Sequence, residues 1–342
     1  MKLKSKIIIG LVSICLLAGS VLLFSHNKDK ATNSGLARLD KITLQLKWVY
    51  NAGFAGDLVA KEMGFWQEQG LDVEVRAGGV GITPIKVVTS GDAQFGVATG
   101  DQMFSAVEEG NPVVGVALAY QRNPLTWIVR ADSKINSLAD FKGKKIGLSF
   151  IDDEALFNAM MAKVSLDPKK DVQIIPIKFD NSPFLRGDVD AFPVYENTQA
   201  IEISEALKKQ GVETKLIGPE DVGLVSYSNL YFTTEDYAKQ HPDVVKAFVV
   251  GVLKGWAYAV AHPDEAAQIV GKYDKEDQSD VIQKSVKSTV NLVQPSHTAQ
   301  IGKMTKEGWL STQNIMLDSG QLKKAQDVDK IYTDQYVEMF NK

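Results

Sequence analysis

Residues 41–76 read KITLQLKWVYNAGFAGDLVAKEMGFWQEQGLDVEVR. Ile42 to Leu46 mixes β-branched and apolar residues with polar ones as a strand does, and Leu71 to Val75 repeats that pattern. Between them Gly53 to Gln69 has apolar residues at helical spacing and is closed by Gly70. The order is strand, helix, strand. It recurs with a helix over Pro84 to Thr89, a strand over Phe95 to Val97, a helix over Asp101 to Glu109 closed by Gly110, and a near-continuous apolar strand from Val113 to Tyr120. Repeated βαβ units predict a parallel sheet covered on both faces by helices.

The rhythm restarts after a strand at Thr126 to Arg130, with Lys145 to Ser149, a helix over Asp152 to Lys163, Val172 to Pro176, and Val189 to Pro193. A helix over Thr198 to Gln210, strands at Thr214 to Ile217 and Tyr227 to Phe232, and an almost entirely helical tail from Thr234 complete the chain. The 342 residues have room for two α/β units and that tail. His241-Pro242-Asp243 and His262-Pro263-Asp264 look alike, and each reads as a helix opening with proline in the first turn.

The formal net charge is −4. Residues 1–40 carry six basic side chains against Asp29 and Asp40, a local +4, which leaves −8 for the rest. A body that acidic is poorly suited to a phosphate backbone, so nucleic acid is not an expected partner. Lys2, Lys4 and Lys6 precede an uncharged run from Ile7 to Phe24, which reads as an export signal or membrane anchor over residues 1–24, followed by a linker over 25–40. The single cysteine, Cys15, lies in that run, which excludes thiol nucleophiles and disulfides from the body.

Enzyme motifs are lacking: the sequence has no H-E-x-x-H, no G-x-S-x-G and no Walker loop. Gly78-Gly79-Val80-Gly81 is followed by Thr83-Pro84 where a dinucleotide fingerprint needs its third glycine, so it reads as a turn of positive-φ residues leading into a helix. Asp152-Asp153-Glu154 is ordinary dipole compensation at a helix start. Two clusters stand out instead. Trp48, Tyr50, Asn51 and Phe54 follow the first strand, and Tyr195, Glu196 and Asn197 follow another. In α/β sheets ligands gather at the carboxyl ends of strands. A tyrosine face with a carboxylate suits a flat heteroaromatic ring bearing an amino group.

Several segments together resemble one family. Leu44-Gln45-Leu46-Lys47-Trp48 with Asn51 and Phe54-Ala55-Gly56, Val59 to Trp66, Gly70 to Val73, Val88 to Val97, Leu138 to Gly147, Gly187 to Ala191 with Tyr195-Glu196-Asn197, and His241 to Phe248 with Lys254-Gly255-Trp256 are similar to the substrate-binding proteins related to thiamine-pyrimidine synthases. The resemblance implies an α/β, periplasmic-binding-protein-like type II fold. Residues 41–125 and 226–342 would form one lobe and 126–225 the other. It further implies an exported, monomeric, cofactor-free receptor that closes over a thiamine-precursor pyrimidine and docks on an ABC permease in the inner membrane. Trp48, Asn51, Phe54, Tyr195 and Glu196 are the implied ligand contacts, with Gly79 and Asp101 at the cleft rim. Relatives place asparagine before glutamate in the second motif, whereas here Glu196 precedes Asn197. The synthase branch, which uses pyridoxal phosphate and iron, carries a cysteine-rich run that this body lacks. A membrane-tethered sensor and a receptor for sulfonate, nitrate or a riboflavin precursor are the competing readings.

Overall fold

The computed structural model describes residues 39–149, 154–178 and 180–340. The run Ile7 to Phe24 with Cys15, the linker up to residue 38, and Asp152 and Asp153 lie outside the described residues. Among the described residues ten strands form two five-stranded sheets. The strands are β1 (Asp40–Gln45), β2 (Leu71–Arg76), β3 (Phe95–Ala98), β4 (Val113–Tyr120), β5 (Leu125–Arg130), β6 (Lys145–Leu148), β7 (Gln173–Pro176), β8 (Ala191–Tyr195), β9 (Thr214–Ile217) and β10 (Ser228–Thr234). The helices of the first two-thirds are α1 (Ala55–Glu62), α2 (Pro84–Thr89), α3 (Gly100–Glu108), α4 (Glu154–Lys163), α5 (Ser182–Arg186) and α6 (Gln199–Lys208). Those of the tail are α7 (Glu235–Gln240), α8 (Pro242–Ala261), α9 (Pro263–Val270), α10 (Ser279–Val293), α11 (Lys306–Asp318) and α12 (Gln335–Phe340).

The first sheet has the order β2-β1-β3-β10-β4, the second β7-β6-β8-β5-β9. Parallel pairing holds for β1 with β2 and β3, and for β6 with β7 and β8. The expectation of a parallel sheet is corrected to two mixed sheets by two strands: β10 runs antiparallel to β3 and β4, and β5 runs antiparallel to β8 and β9. Each is the first strand after the chain has passed from one sheet to the other. It arrives without a crossover helix to reverse it, so it enters in the opposite sense. The passages are short: four residues, Gln121 to Pro124, separate β4 from β5, and Gly218 to Tyr227 lead from β9 to β10.

The expected helix over Gly53 to Gln69 is broken into three parts. A 3₁₀ turn at Ala52–Phe54 precedes α1, and a second at Gln67–Gln69 follows it. Gly64 takes φ +74°, the left-handed conformation that ends helices, so the chain turns there instead of continuing. That turn directs Trp66 into the core, where its ring stacks on Phe248 of α8 at 5.6 Å and its Nε1 donates to the Phe248 carbonyl at 2.9 Å. The His-Pro-Asp repeats behave as expected, with His241 and His262 preceding Pro242 and Pro263 at the starts of α8 and α9.

Candidate binding site

The end of β1 opens the site. Past Leu46, whose N–H still donates to the Arg76 carbonyl, the chain leaves the sheet, and Asn51 caps the next turn by accepting the Gly53 N–H on Oδ1 at 2.8 Å. The segment Lys47 to Phe54 is thereby held as a rigid bracket. Opposite it, Gly78 approaches so closely that an added Cβ would stand 2.4 Å from the Leu46 carbonyl oxygen, so only glycine fits. Gly79 follows at φ +151°, a conformation that side chains disfavour.

The second sheet contributes the end of β8. Beyond Tyr195 the backbone N–H of Glu196 donates to the Pro124 carbonyl, which ties this segment to the passage between the sheets. The strand ends enclose a cavity of about 600 Å³, with Lys47, Trp48, Asn51 and Phe54 on one side and Tyr195 and Asn197 on the other. Of the residues singled out from sequence, Trp48, Tyr50, Asn51, Phe54, Gly79, Tyr195 and Asn197 line this cavity; Glu196 and Asp101 do not. Glu196 instead pairs with Arg122, whose Nε also meets Glu220 Oε1 at 2.8 Å. Asp101 is the second residue of α3, while its neighbours Thr99 and Gln102 line the cavity.

Lys47 and Tyr120 were not singled out in sequence, while Asn197 was named there beside Glu196. Lys47 Nζ donates to Tyr195 Oη at 3.0 Å and to Ser228 Oγ at 3.3 Å, with the ammonium 4.7 Å from the centre of the Tyr195 ring. One side chain thus connects both sheets. Asn197, fully buried, donates from Nδ2 to Tyr120 Oη at 3.3 Å and to Thr289 Oγ1 at 2.8 Å. Tyr120 in turn donates to the Gly53 carbonyl at 2.5 Å, and burial pushes its phenol far above the ordinary range. Because the single phenolic proton is spent on Gly53, Asn197 must present its N–H₂ to Tyr120, which fixes the amide orientation. Its Oδ1 then has no partner among the described residues.

The α6 side of the cavity is acidic. Glu202 faces Asp274, Glu276 and Asp277 from the loop between α9 and α10. Burial raises the Glu202 carboxyl, assisted by Glu276 and Asp274; burial and then Asp274 push Asp277 up to about 6. Among the described residues no three His, Cys, Asp or Glu side chains are grouped to hold a metal ion.

Two sheets joined by two short passages, with a cavity walled by the strand ends of both, are the frame of a binding protein. Residues 51–266 match the model of the family described as NMT1/THI5 like. The chain belongs to the NMT1/THI5-like family. Similar family members include a Haemophilus influenzae protein named for thiamine biosynthesis, 30% identical over 68% of this chain and 74% of its own length. A formylaminopyrimidine-binding protein of Halalkalibacterium halodurans is 27% identical over 73% and 75%. A riboflavin-binding protein of Chloroflexus aurantiacus is 26% identical over 87% and 86%. A Legionella pneumophila relative, 24% identical over 67% and 72%, is named as 4-amino-5-hydroxymethyl-2-methylpyrimidine phosphate synthase. The periplasmic aliphatic sulphonate binding protein of Escherichia coli superposes with a TM-score of 0.69 at 15% identity over 85% of this chain and 91% of its own. The NMT1/THI5-like chain therefore has the periplasmic-binding-protein fold that the sequence implied.

Proposed function

We propose that this NMT1/THI5-like chain is the exported substrate-binding protein of an ABC importer. It closes two lobes, 41–125 with 226–342 and 126–225, over a small flat heteroaromatic and presents the closed form to a membrane permease. The observation that carries the reading is the pairing of Trp48 and Tyr195 as ring-bearing walls of one cavity, each supplied by a different sheet. A ring stacked between them holds both halves at once, so its binding energy favours closure. The passages Gln121 to Pro124 and Gly218 to Tyr227 serve as the hinge. The chain works as a monomer outside the cytoplasm, delivered or anchored by residues 1–24, and makes no bonds of its own.

A thiamine-precursor pyrimidine such as formylaminopyrimidine is the first choice of ligand, supported by the Halalkalibacterium relative. The cavity volume favours a second. About 600 Å³ lies in the middle of the range of roughly 300–1,000 Å³ typical of sites for drug-sized ligands. That space accommodates a fused ring as well as a single one, in keeping with the riboflavin-binding relative. Native mass spectrometry of freshly purified protein tests both, and a co-purifying pyrimidine or flavin is the expected result. Added ligand at a hundred times its Kd then raises stability by about 2.7 kcal/mol. The absence of pyridoxal phosphate from the same mass spectra, and of iron by metal analysis, separates this reading from synthase chemistry.

A further inference from the structure

We propose that Lys47 and Tyr195 act together as a donor pair that reads a carbonyl or anionic oxygen on the edge of the bound ring, and so select which heteroaromatic the cleft accepts. The proposal rests on the ring-clamp reading above and adds the polarity of the ligand's edge. An ammonium has three N–H donors and accepts nothing. Lys47 spends two of them, on Tyr195 Oη at 3.0 Å and Ser228 Oγ at 3.3 Å, both neutral hydroxyls. No carboxylate pairs with it among the described residues, although Asp180, Glu202, Asp274, Glu276 and Asp277 line the same cavity.

The direction of these bonds is forced, and the consequence falls on Tyr195. Since Lys47 can only donate, Tyr195 Oη accepts, and its own phenolic proton has no acceptor among the described residues. Ser228 differs, because its proton turns toward Asn229 Oδ1 at 3.5 Å. One Nζ–H of Lys47 and the O–H of Tyr195 therefore stand side by side on the cavity wall with no acceptor among the described residues. Asn51 adds to the bias: its Oδ1 is taken by the Gly53 N–H, leaving the amide N–H₂ for the cavity. The Tyr195 ring lies 4.7 Å from Nζ and holds the ammonium over the wall by its π-face. A bound ring excludes water from these donors. A ligand that brings an oxygen acceptor satisfies them, and one that brings an amino group leaves them desolvated and unpaired.

A ring carbonyl and the oxygen of a phosphate substituent share this chemistry, and titration calorimetry separates them. The full chain is titrated with 4-amino-5-hydroxymethyl-2-methylpyrimidine, its 4-oxo analogue, its phosphate ester and riboflavin, using the wild type, Lys47→Met, Lys47→Arg, Tyr195→Phe and Trp48→Ala. The wild type is expected to bind at least one oxygen-bearing probe about tenfold or more tighter than the amino compound. The oxo compound or riboflavin leads if the recognised oxygen is a carbonyl, the ester if it is anionic. Lys47→Met and Tyr195→Phe lose that preference, the oxygen-bearing probes weakening about tenfold while the amino compound, relieved of an unpaired donor, binds more tightly than to the wild type, and Lys47→Arg retains most of the preference. The conservative Tyr195→Phe and Lys47→Arg chains keep the test valid if Lys47→Met misfolds. The proposal is overturned if Lys47→Met weakens all probes alike, if it leaves the oxygen-bearing probes within about twofold of wild type, or if no oxygen-bearing probe binds. Failure of the ring clamp reads out separately: Trp48→Ala would then bind every probe as the wild type does while the Lys47 effect persists.

Discussion

Asn197 Nδ2 lies 3.3 Å from Tyr120 Oη, so a residue beyond the end of β8 in the second sheet is bonded to the last residue of β4 in the first. Tyr120 passes the connection on to the Gly53 carbonyl, in the bracket that carries Asn51 and Phe54. The two candidate ligand segments are thereby coupled through one phenol. Opening the cleft along the passages between the sheets must break the Asn197 bonds to Tyr120 and Thr289. Asn197→Ala should therefore favour the open form and weaken ligand binding about fivefold to tenfold, given about 1 kcal/mol for a net hydrogen bond. Calorimetry with the co-purifying ligand checks this, and unchanged affinity would remove Asn197 from the closing contacts.

Glu196 is expected to behave differently. Its carboxylate is engaged with Arg122, and both side chains remain partly exposed. Glu196→Gln should therefore alter ligand affinity by less than about 1 kcal/mol, the scale of partly exposed ion pairs. An Arg122→Ala, Glu196→Gln double-mutant cycle should show that the two effects do not add. A loss of binding confined to Glu196→Gln would return the carboxylate to the ligand.

Asp57 gives the fold a pH dependence. It is fully buried, accepts from Tyr231 Oη at 2.7 Å, and burial raises its carboxyl from 3.8 to about 7. Below about pH 4 both folded and unfolded chains hold this proton. Between there and pH 7 the unfolded chain releases it and the folded chain does not, so stability falls as pH rises and levels off above the folded value. The total is on the order of 4 kcal/mol at one unit per 1.36 kcal/mol. Asp57→Asn should flatten the decline in urea midpoint between pH 4 and 7; an unchanged slope would mean that Asp57 is not the group responsible.

The contact of α1 with α8 depends on two glycines. A Cβ on Gly255 would lie 2.1 Å from the Gly56 carbonyl oxygen, and one on Gly56 would lie 2.1 Å from the Trp256 ring. Neither backbone nor a fully buried tryptophan can yield cheaply, so Gly255→Ala should destabilise by about 3 kcal/mol or more. Urea unfolding measures it, and a loss under about 1 kcal/mol would show that the helices can separate.

The local elements were legible because their signals are local. Pro84 to Thr89 and Thr214 to Ile217 have the same bounds in the structure as in the sequence reading, since proline opens the one and β-branched ends define the other. The place of β10 between β3 and β4 was not legible, because that pairing joins residues far apart in the chain and leaves no local trace. The site was half legible for the same reason. Trp48, Asn51 and Phe54 were marked by their types after a strand, whereas Lys47 acquires meaning only when Tyr195 arrives from the other sheet. Glu196 was implied as a contact by the family resemblance, with the choice between it and Asn197 left open. The alternation of β8 carried one step past its end would have pointed the other way, with Tyr195 and Asn197 on the cavity and Glu196 on the passage.

The central claim is closure on a ring, and the most direct measurement is the distance between the halves as ligand is added. With Cys15→Ser removing the native thiol, fluorophores at Lys86→Cys on α2 and Lys208→Cys on α6, both exposed, report that distance by energy transfer. Formylaminopyrimidine or riboflavin should produce a saturable shortening that is absent in Trp48→Ala and Tyr195→Ala. Saturable binding of either compound with no change in transfer would contradict the account.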